Sequence, residues 1–296
     1  MMTNLSPVQI FFEIRNNCSR PFSEDLVRSI QQFGILDALI AIEEDGENVL
    51  LCGHNRLRAA TVADCRAVPV QILPSFDFQQ FAASIAKKLS NNTITSAGVL
   101  RALTIVDRYS PQNSETFAAY FCRGINTTAV INSGVVVDEI FFSFLNSRKA
   151  PAKQIVQLSL LDPLVRDHLR TLISRSDFSL GSFRHLIELT DEICRRDASL
   201  PLPGVMTAEG RVQESEIIDF YFGRRYPSFS EKTKRFEKLQ KNIQKKGIRL
   251  SAPLNFEGNF LDLTLRISAA ETKELLNEDC GYIAEKFDLL SSFLRT

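Results

Sequence analysis

Tryptophan is missing from this chain, and histidine and methionine occur three times each among 296 residues. The three imidazoles, His54, His168 and His185, stand too far apart to form a local metal-ligand pair. The six cysteines, at 18, 52, 65, 122, 194 and 280, include no CxxC pair, which excludes a zinc ribbon or a dithiol redox motif. No metal site is expected. A Gly-x-x-x-x-Gly-Lys-Ser/Thr loop and a Gly-x-Ser-x-Gly elbow are both absent, so P-loop ATPase and serine-hydrolase chemistry fall away. No apolar run approaches the ~20 residues that span a bilayer, and no secretory leader pattern opens the chain. The expectation is a cytoplasmic protein with reduced thiols and no membrane partner. One-sided charge is lacking too: 35 basic residues balance 35 acidic ones, so any nucleic-acid contact must come from a local patch.

What is present centres on Leu50–Ala60, where an apolar strand meets Gly53 and then an alanine-rich helix. A helix start offers unpaired backbone N–H groups and the positive end of the helix dipole, which suits a phosphate or carboxylate. Gly53 permits positive φ and close backbone approach. Arg56 and Arg58 add guanidinium groups that can grip two phosphate oxygens at once. His54 stands in the same turn, as a base or as a structural cap. Upstream, Leu26, Ile30 and Phe33 mark one face of a helix stopped by Gly34. A strand over Leu39–Ile42, a turn at Asp45-Gly46 and a strand over Val49–Cys52 follow, and Val68–Leu73 gives another strand beyond the helix. Val8–Ile14 reads as the first strand of the chain, behind a polar tail.

This order of elements, with Gly53, Arg56, Arg58 and Ala59 in the turn, resembles the amino-terminal domain of ParB partition proteins. That fold is shared with sulfiredoxin and with free serine kinases. The resemblance covers residues 8 to 95 and implies a turn of the form Gly-Glu-Arg-Arg-x-Arg-Ala that holds a nucleoside triphosphate. Here His54 and Asn55 replace the Glu and the first Arg. The family's Pro-Arg pair near the nucleotide stands reversed as Arg20-Pro21, making Arg15 and Arg20 candidates for phosphate contact. Of the family's Glu-Asn-x-x-Arg box, Asn92 is retained, while Asn91 and Thr95 replace Glu and Arg. Hard cations prefer carboxylate oxygen, so the lost Glu counts against a Mg²⁺ requirement unless Glu13 or Glu24 substitutes. The implied nucleotide-binding set is Gly53, His54, Asn55, Arg56, Arg58 and Asn92, with CTP or ATP as ligand. Glu13, Glu24 and His54 are the catalytic candidates, for a weak triphosphatase or, alternatively, for a small-molecule kinase resembling free serine kinases.

From Ser96 to Thr190 the apolar spacing is helical almost throughout. Ile155–Leu169 and Phe178–Leu186 resemble the leucine-rich helix, Asp/Pro turn and Leu-Ser-x-Gly helix entry of ParB proteins. The candidate DNA-reading helix-turn-helix, within 114–147, is Gly124–Ile131, which carries few basic residues. Residues 196–214 read as a linker. Helices follow over Glu216–Phe222 and Ser230–Lys246, with Ser230 as N-cap and Gly247 as stop. A hairpin over Ile248–Ser251 and Phe260–Ile267 comes next, and Ala269–Leu294 closes the chain as a helix or helix pair. Charge is densest at Arg224, Arg225, Lys232, Lys234, Arg235, Lys238, Lys241, Lys245 and Lys246. Such a run is either a solvated face or a track for nucleic-acid phosphates.

The expected class is α+β, with a ParB/sulfiredoxin-like α/β domain at 1–95, an all-helical domain at 96–195 and a linker at 196–214. A C-terminal α-β-β-α unit at 215–296 completes it. The resemblance implies nucleotide and DNA binding in plasmid or chromosome partition or in transcriptional regulation, with DNA, nucleotide and a second copy of the chain as partners.

Overall fold

The computed structural model describes residues 2–20, 22–204, 211–243, 248–253, 256, 260–265 and 273–294. The fold is mixed α+β. Two compact units divide the chain, Met1–Glu214 and Ser215–Thr296.

The first unit opens with a five-stranded sheet. Its strands are β1 (Met2–Leu5), β2 (Ile10–Phe11), β3 (Leu39–Glu44), β4 (Glu47–Cys52) and β5 (Val68–Leu73), in the order β1-β5-β3-β4-β2. β3 and β4 form the antiparallel hairpin that the Asp45-Gly46 pair predicts. Asp45 (φ 52) and Gly46 (φ 82) are both left-handed, the type I′ geometry whose twist matches the strands it joins. β5 runs parallel to β3, while β1 covers its other edge antiparallel. The first strand therefore differs from expectation. Met2–Leu5 pairs with β5, and the Val8–Ile14 stretch is broken into a 3-10 turn, a two-residue strand and a second 3-10 turn. Pro7 has no N–H to give a ladder and starts that turn, which leaves Val8 91% exposed.

Helices α1 (Glu24–Phe33) and α2 (His54–Val62) pack together on the sheet. Ile30, Leu57, Ala59 and Ala60 meet Leu39, Ala41, Leu50, Val68 and Val70 in one core. Each large side chain buried this way stabilises by about 1.5–3 kcal/mol. Leu26 and Ile30 face that core as expected, but Phe33 is 63% exposed and Val27 packs in its stead. The opposite sheet face carries Ile42, Val49 and Leu51 against Phe76 and Tyr109.

The helical remainder of this unit comprises α3 (Phe78–Ser90), α4 (Ser96–Tyr109), α5 (Ser114–Phe121), α6 (Thr127–Ser133), α7 (Glu139–Ser147), α8 (Ala152–Ser159), α9 (Pro163–Arg175) and α10 (Leu180–Asp197). Side-chain caps from Asp77, Thr95, Asn126, Asp138, Asp162 and Ser179 start six of them, each satisfying an orphan backbone N–H.

The second unit holds most of α11 (Glu214–Arg225), then α12 (Pro227–Ile243), β6 (Ile248–Ser251), β7 (Asp262–Leu265), α13 (Lys273–Glu285) and α14 (Phe287–Leu294). β6 and β7 form the expected antiparallel pair. Phe236, Leu239, Ile243, Leu250 and Phe293 make its core. Ser230 is not an N-cap, because the helix already begins at Pro227, a residue suited to a first turn. Gly247 and residues 266–272, which hold the expected end of the second strand and start of the closing helix, lie outside the described residues.

Candidate nucleotide and DNA sites

The turn after β4 is built as its sequence requires. Gly53 adopts φ +106 and caps α2, and a Cβ there would sit 3.0 Å from Leu39 Cγ. A side chain would meet both backbone strain and a packed neighbour. The residues downstream of it go to different fates.

His54 is 1% exposed, with its ring edge-on to Phe12 at 5.2 Å between centroids. Burial, seconded by the charge of Lys88, pushes its pKa down to about 3. The Glu13 backbone is near enough to oppose that shift, yet neither ring nitrogen has an aligned hydrogen-bond partner. The imidazole is thus a neutral core residue, not the solvent-facing base or phosphate ligand of the expectation. Arg56 Nη1 donates to the Asp37 carbonyl and, at 3.1 Å, to that of Ala38. It braces the turn before β3. The Asp37 carboxyl, held below the usual range chiefly by Lys87 at 3.0 Å, adds negative charge nearby. That charge opposes a phosphate at Arg56. Arg58 is exposed, with its guanidinium 5.4 Å from the Phe22 ring centroid.

Asn55 turns the other way. Its Nδ2 donates to the Arg20 carbonyl at 2.6 Å, and Arg20 Nη2 donates to Asn92 Oδ1 at 3.2 Å. Arg20 thus meets Asn55, at the start of α2, through its main-chain carbonyl, and Asn92, past the end of α3, through its guanidinium. Arg20 Nε and Asn55 Oδ1 are buried there without a hydrogen-bond partner. Asn92 holds φ +53 just past the α3 C-cap, with Thr93 N returning to Lys88 O at 2.8 Å. Asn tolerates this left-handed helix-ending position, so the residue has a structural duty besides its contact with Arg20. Glu13 pairs with Arg108 at 3.2 Å and the exposed Glu24 with Arg28 at 3.5 Å. Both carboxylates of the expected catalytic set are thereby engaged with arginines. Arg15 is exposed.

The loop that carries Arg20 is strapped along its length. Asn16 Nδ2 donates to Leu50 O at 3.4 Å; Arg101 Nη1 donates to Asn17 O at 3.3 Å; Asn146 Nδ2 donates to Ser19 O at 3.0 Å. Gly98 passes so close to the Cys18 carbonyl that a Cβ would fall 2.1 Å from its oxygen. Arg101 itself is 0% exposed, donates from Nε to Val136 O at 2.6 Å and pairs with Glu139 at 2.8 Å. Burial lowers its pKa, and Glu139 opposes that shift. None of these partners has a local sequence signal. Beside Arg20 and Asn92 opens a cavity of about 340 Å³, lined also by Thr95, Phe121, Ile125 and Lys149.

The expected DNA-reading segment, Gly124–Ile131, spans the turn into α6, a helix without a lysine or arginine. Arg123 beside it donates to its own helix at Ala119 O, 3.1 Å away. The short link that a helix-turn-helix uses occurs between α7 and α8, which are joined by the four residues Arg148–Pro151. Lys149 sits left-handed in that turn (φ +54), and Ala150 N returns to Leu145 O at 2.9 Å. Lys153 on α8 is exposed and Gln157 half-buried, whereas Gln154 is buried.

On α12, Lys234, Lys238 and Lys241 recur at i, i+4 and i+7 opposite the buried Phe236, Leu239 and Ile243. Arg235 lies at their margin. Lys232 departs from this face: its Nζ stands 5.8 Å from the centroid of Phe256, a ring of the unit's core. Arg224 is exposed, and Arg225 lies 4.8 Å over Tyr226. Lys245 and Lys246 lie outside the described residues. Among the described residues no cluster of metal-ligating side chains occurs, and no helix is long and apolar enough to cross a membrane.

No family model matches the chain, nor does any curated protein. Solved structures similar to it include the C-terminally truncated chromosome-partitioning protein ParB from Caulobacter crescentus, complexed with CTP-gamma-S. It is 15% identical over 63% of this chain and 99% of that one, with a TM-score of 0.27. The same protein complexed to the centromeric parS site is 14% identical over 66% and 99%, at 0.29. A Pnob8-like ParB-N domain is 17% identical over 64% and 97%, at 0.25. Superpositions this loose assign no role to any residue of this chain.

Proposed function

We propose that this protein is a ParB-like nucleotide- and DNA-binding protein whose nucleotide phosphates are held at Arg20, Asn55 and Asn92. The observation that carries the reading is that Arg20 Nε and Asn55 Oδ1 are each buried without a partner, on residues linked to one another through the Arg20 carbonyl and, through the Arg20 guanidinium, to Asn92. An unsatisfied buried donor or acceptor costs about 1–3 kcal/mol, and a ligand offering an acceptor and a donor there removes that cost. The Gly53 turn supports the reading by starting α2, whose second residue, Asn55, holds the Arg20 carbonyl. Arg56 is assigned to bracing and His54 to the core. Glu13 pairs with Arg108, and Glu24 is an exposed carboxylate in a surface pair with Arg28, so neither adds support for kinase chemistry over binding. DNA is read by α7 and α8, with Lys234, Lys238 and Lys241 on α12 as a separate, sequence-independent phosphate track. A role in partition or transcriptional regulation follows from these two activities together.

Isothermal titration of the full chain with CTP, ATP and ADP, each with and without Mg²⁺, tests this. Arg20→Ala is expected to weaken the best ligand about tenfold or more, by loss of a charge-assisted contact. Arg56→Ala is expected to change affinity far less while lowering thermal stability. Full affinity in Arg20→Ala, or equal losses in both variants, contradicts the assignment.

A further inference from the structure

A second cavity, of about 510 Å³, opens between α7, the end of α9 and a segment that returns from beyond α10. It shares no lining residue with the cavity beside Arg20. Ile140, Ser143 and Phe144 face it from α7, and Ile173 and Asp177 line it from the end of α9 and the loop beyond. Arg211 completes the lining. The segment that carries Arg211 is fastened to the loop after α9 by hydrogen bonds. Val212 N donates to Arg175 O at 3.1 Å, Ser176 Oγ donates to Val212 O at 2.8 Å, and Ser179 N donates to the Glu214 carboxylate at 2.8 Å.

The charges around this space decide what fits it. Glu139 at its edge is neutralised by the buried Arg101, 2.8 Å away. Arg211 is exposed and has no acidic partner among the described residues. Arg148 pairs with Asp177, whose side chain is 66% exposed. Exposed pairs of this kind are weak, so Arg148 can exchange that carboxylate for a ligand. Ser143, also exposed, makes no hydrogen bond among the described residues and adds a donor. Two guanidinium groups and a hydroxyl match the oxygens of a phosphate monoester. Ile140, Phe144 and Ile173 supply an apolar side for its organic body.

We infer that this cavity is a second anion site, which takes a small phosphate monoester with an apolar body between Arg148 and Arg211. Because Arg211 is held there by the 212–214 hydrogen bonds, the ligand fastens that segment to the loop after α9. The site does not depend on the Arg20 cluster and stands whether or not a nucleotide binds there.

The test uses the full chain, phenyl phosphate as probe, and trypsin, which cuts after Arg211. Cleavage there requires the segment to leave the loop. Phenyl phosphate at about ten times its Kd, measured by calorimetry, is expected to slow that cut about tenfold, with other cuts unchanged. Ser143→Glu puts a carboxylate into the cavity from an exposed helix position that tolerates it. It is expected to weaken phenyl phosphate about tenfold or more and to remove the protection. Asp177→Asn removes the opposing charge and is expected to tighten the probe about threefold, which a merely structural pair would not do. Arg20→Ala is expected to leave binding and protection as in wild type. Loss of protection in Arg20→Ala would place the probe in the other cavity and overturn the inference, as would protection that survives Ser143→Glu. Protection by a DNA duplex without protection by phenyl phosphate would make this face a nucleic-acid contact and overturn it. Absence of phenyl phosphate binding overturns it as well.

Discussion

At the scale of single residues, burial divides the Gly53 turn into working and structural side chains. His54 and Arg56 carry the chemistry that sequence spacing assigns to a phosphate site, yet one is sealed under Phe12 and the other closes backbone carbonyls. The neighbours that remain available are Asn55 and Arg20, and both were named in advance, Asn55 by its place in the turn and Arg20 by its place beside Pro21. Sequence spacing reports which residues are close in the chain; it does not report which way an α2 side chain turns. The buried imidazole has a consequence in pH. Its folded pKa, about 3, lies below the ordinary value of 6.5, so the unfolded chain takes up the proton first. Stability from this group is full above pH 6.5 and is lost as pH falls toward 3, at up to about 1.4 kcal/mol per pH unit. Urea unfolding at pH 7.5, 6 and 5 should show wild type losing stability more steeply than His54→Leu. Parallel curves would contradict the buried, neutral imidazole.

At the scale of elements, the β3–β4 hairpin, the turn at Gly53, α2 and β5 were legible because each has a local cause: a left-handed pair, a glycine cap, an apolar run. β1 was not, since Met2–Leu5 alternates half-buried and exposed residues and is held only by its pairing with β5. The α7–α8 turn was missed for a related reason: Lys149 takes the left-handed position in which a glycine would have signalled a turn. The strap at 16–20 is largely tertiary, with the carbonyls of Asn17, Ser19 and Arg20 accepting from Arg101, Asn146 and Asn55 on distant helices. Gly98 is its closest contact. Gly98→Ala places a methyl within 2.1 Å of the Cys18 carbonyl and is expected to cost about 1–3 kcal/mol, as overpacking does. It should also weaken nucleotide, because the strap carries Arg20. Denaturant midpoints with a CTP titration check both. Unchanged stability would mean that the strap yields freely. Removing Arg101, whose guanidinium is wholly buried against Glu139 and Phe142, should cost about 3–5 kcal/mol as a broken buried pair.

At the scale of the whole molecule, a chain with no net charge sets Lys234, Lys238 and Lys241 along one exposed face of α12, flanked by Glu231 and Glu237. The spacing of Lys234, Lys238 and Lys241 was readable from helical periodicity, whereas Lys232 fell on the core side, against Phe256. If the face meets a duplex, replacing those three lysines with glutamine should lower the slope of log affinity against log salt by roughly 2–3. Sequence preference should survive, because α12 carries no base-reading role in this account. An unchanged slope would leave the face as a solvated surface.

The central claim is that the Arg20 guanidinium keeps an unpaired, buried N–H for a ligand. Its Nε–H resonance in the arginine region of a ¹H–¹⁵N spectrum reports on that directly. On addition of CTP a large shift and slowed solvent exchange are expected at this one resonance, assigned through Arg20→Lys, with Arg56 nearly unmoved. A shift at Arg56 with Arg20 silent would contradict it.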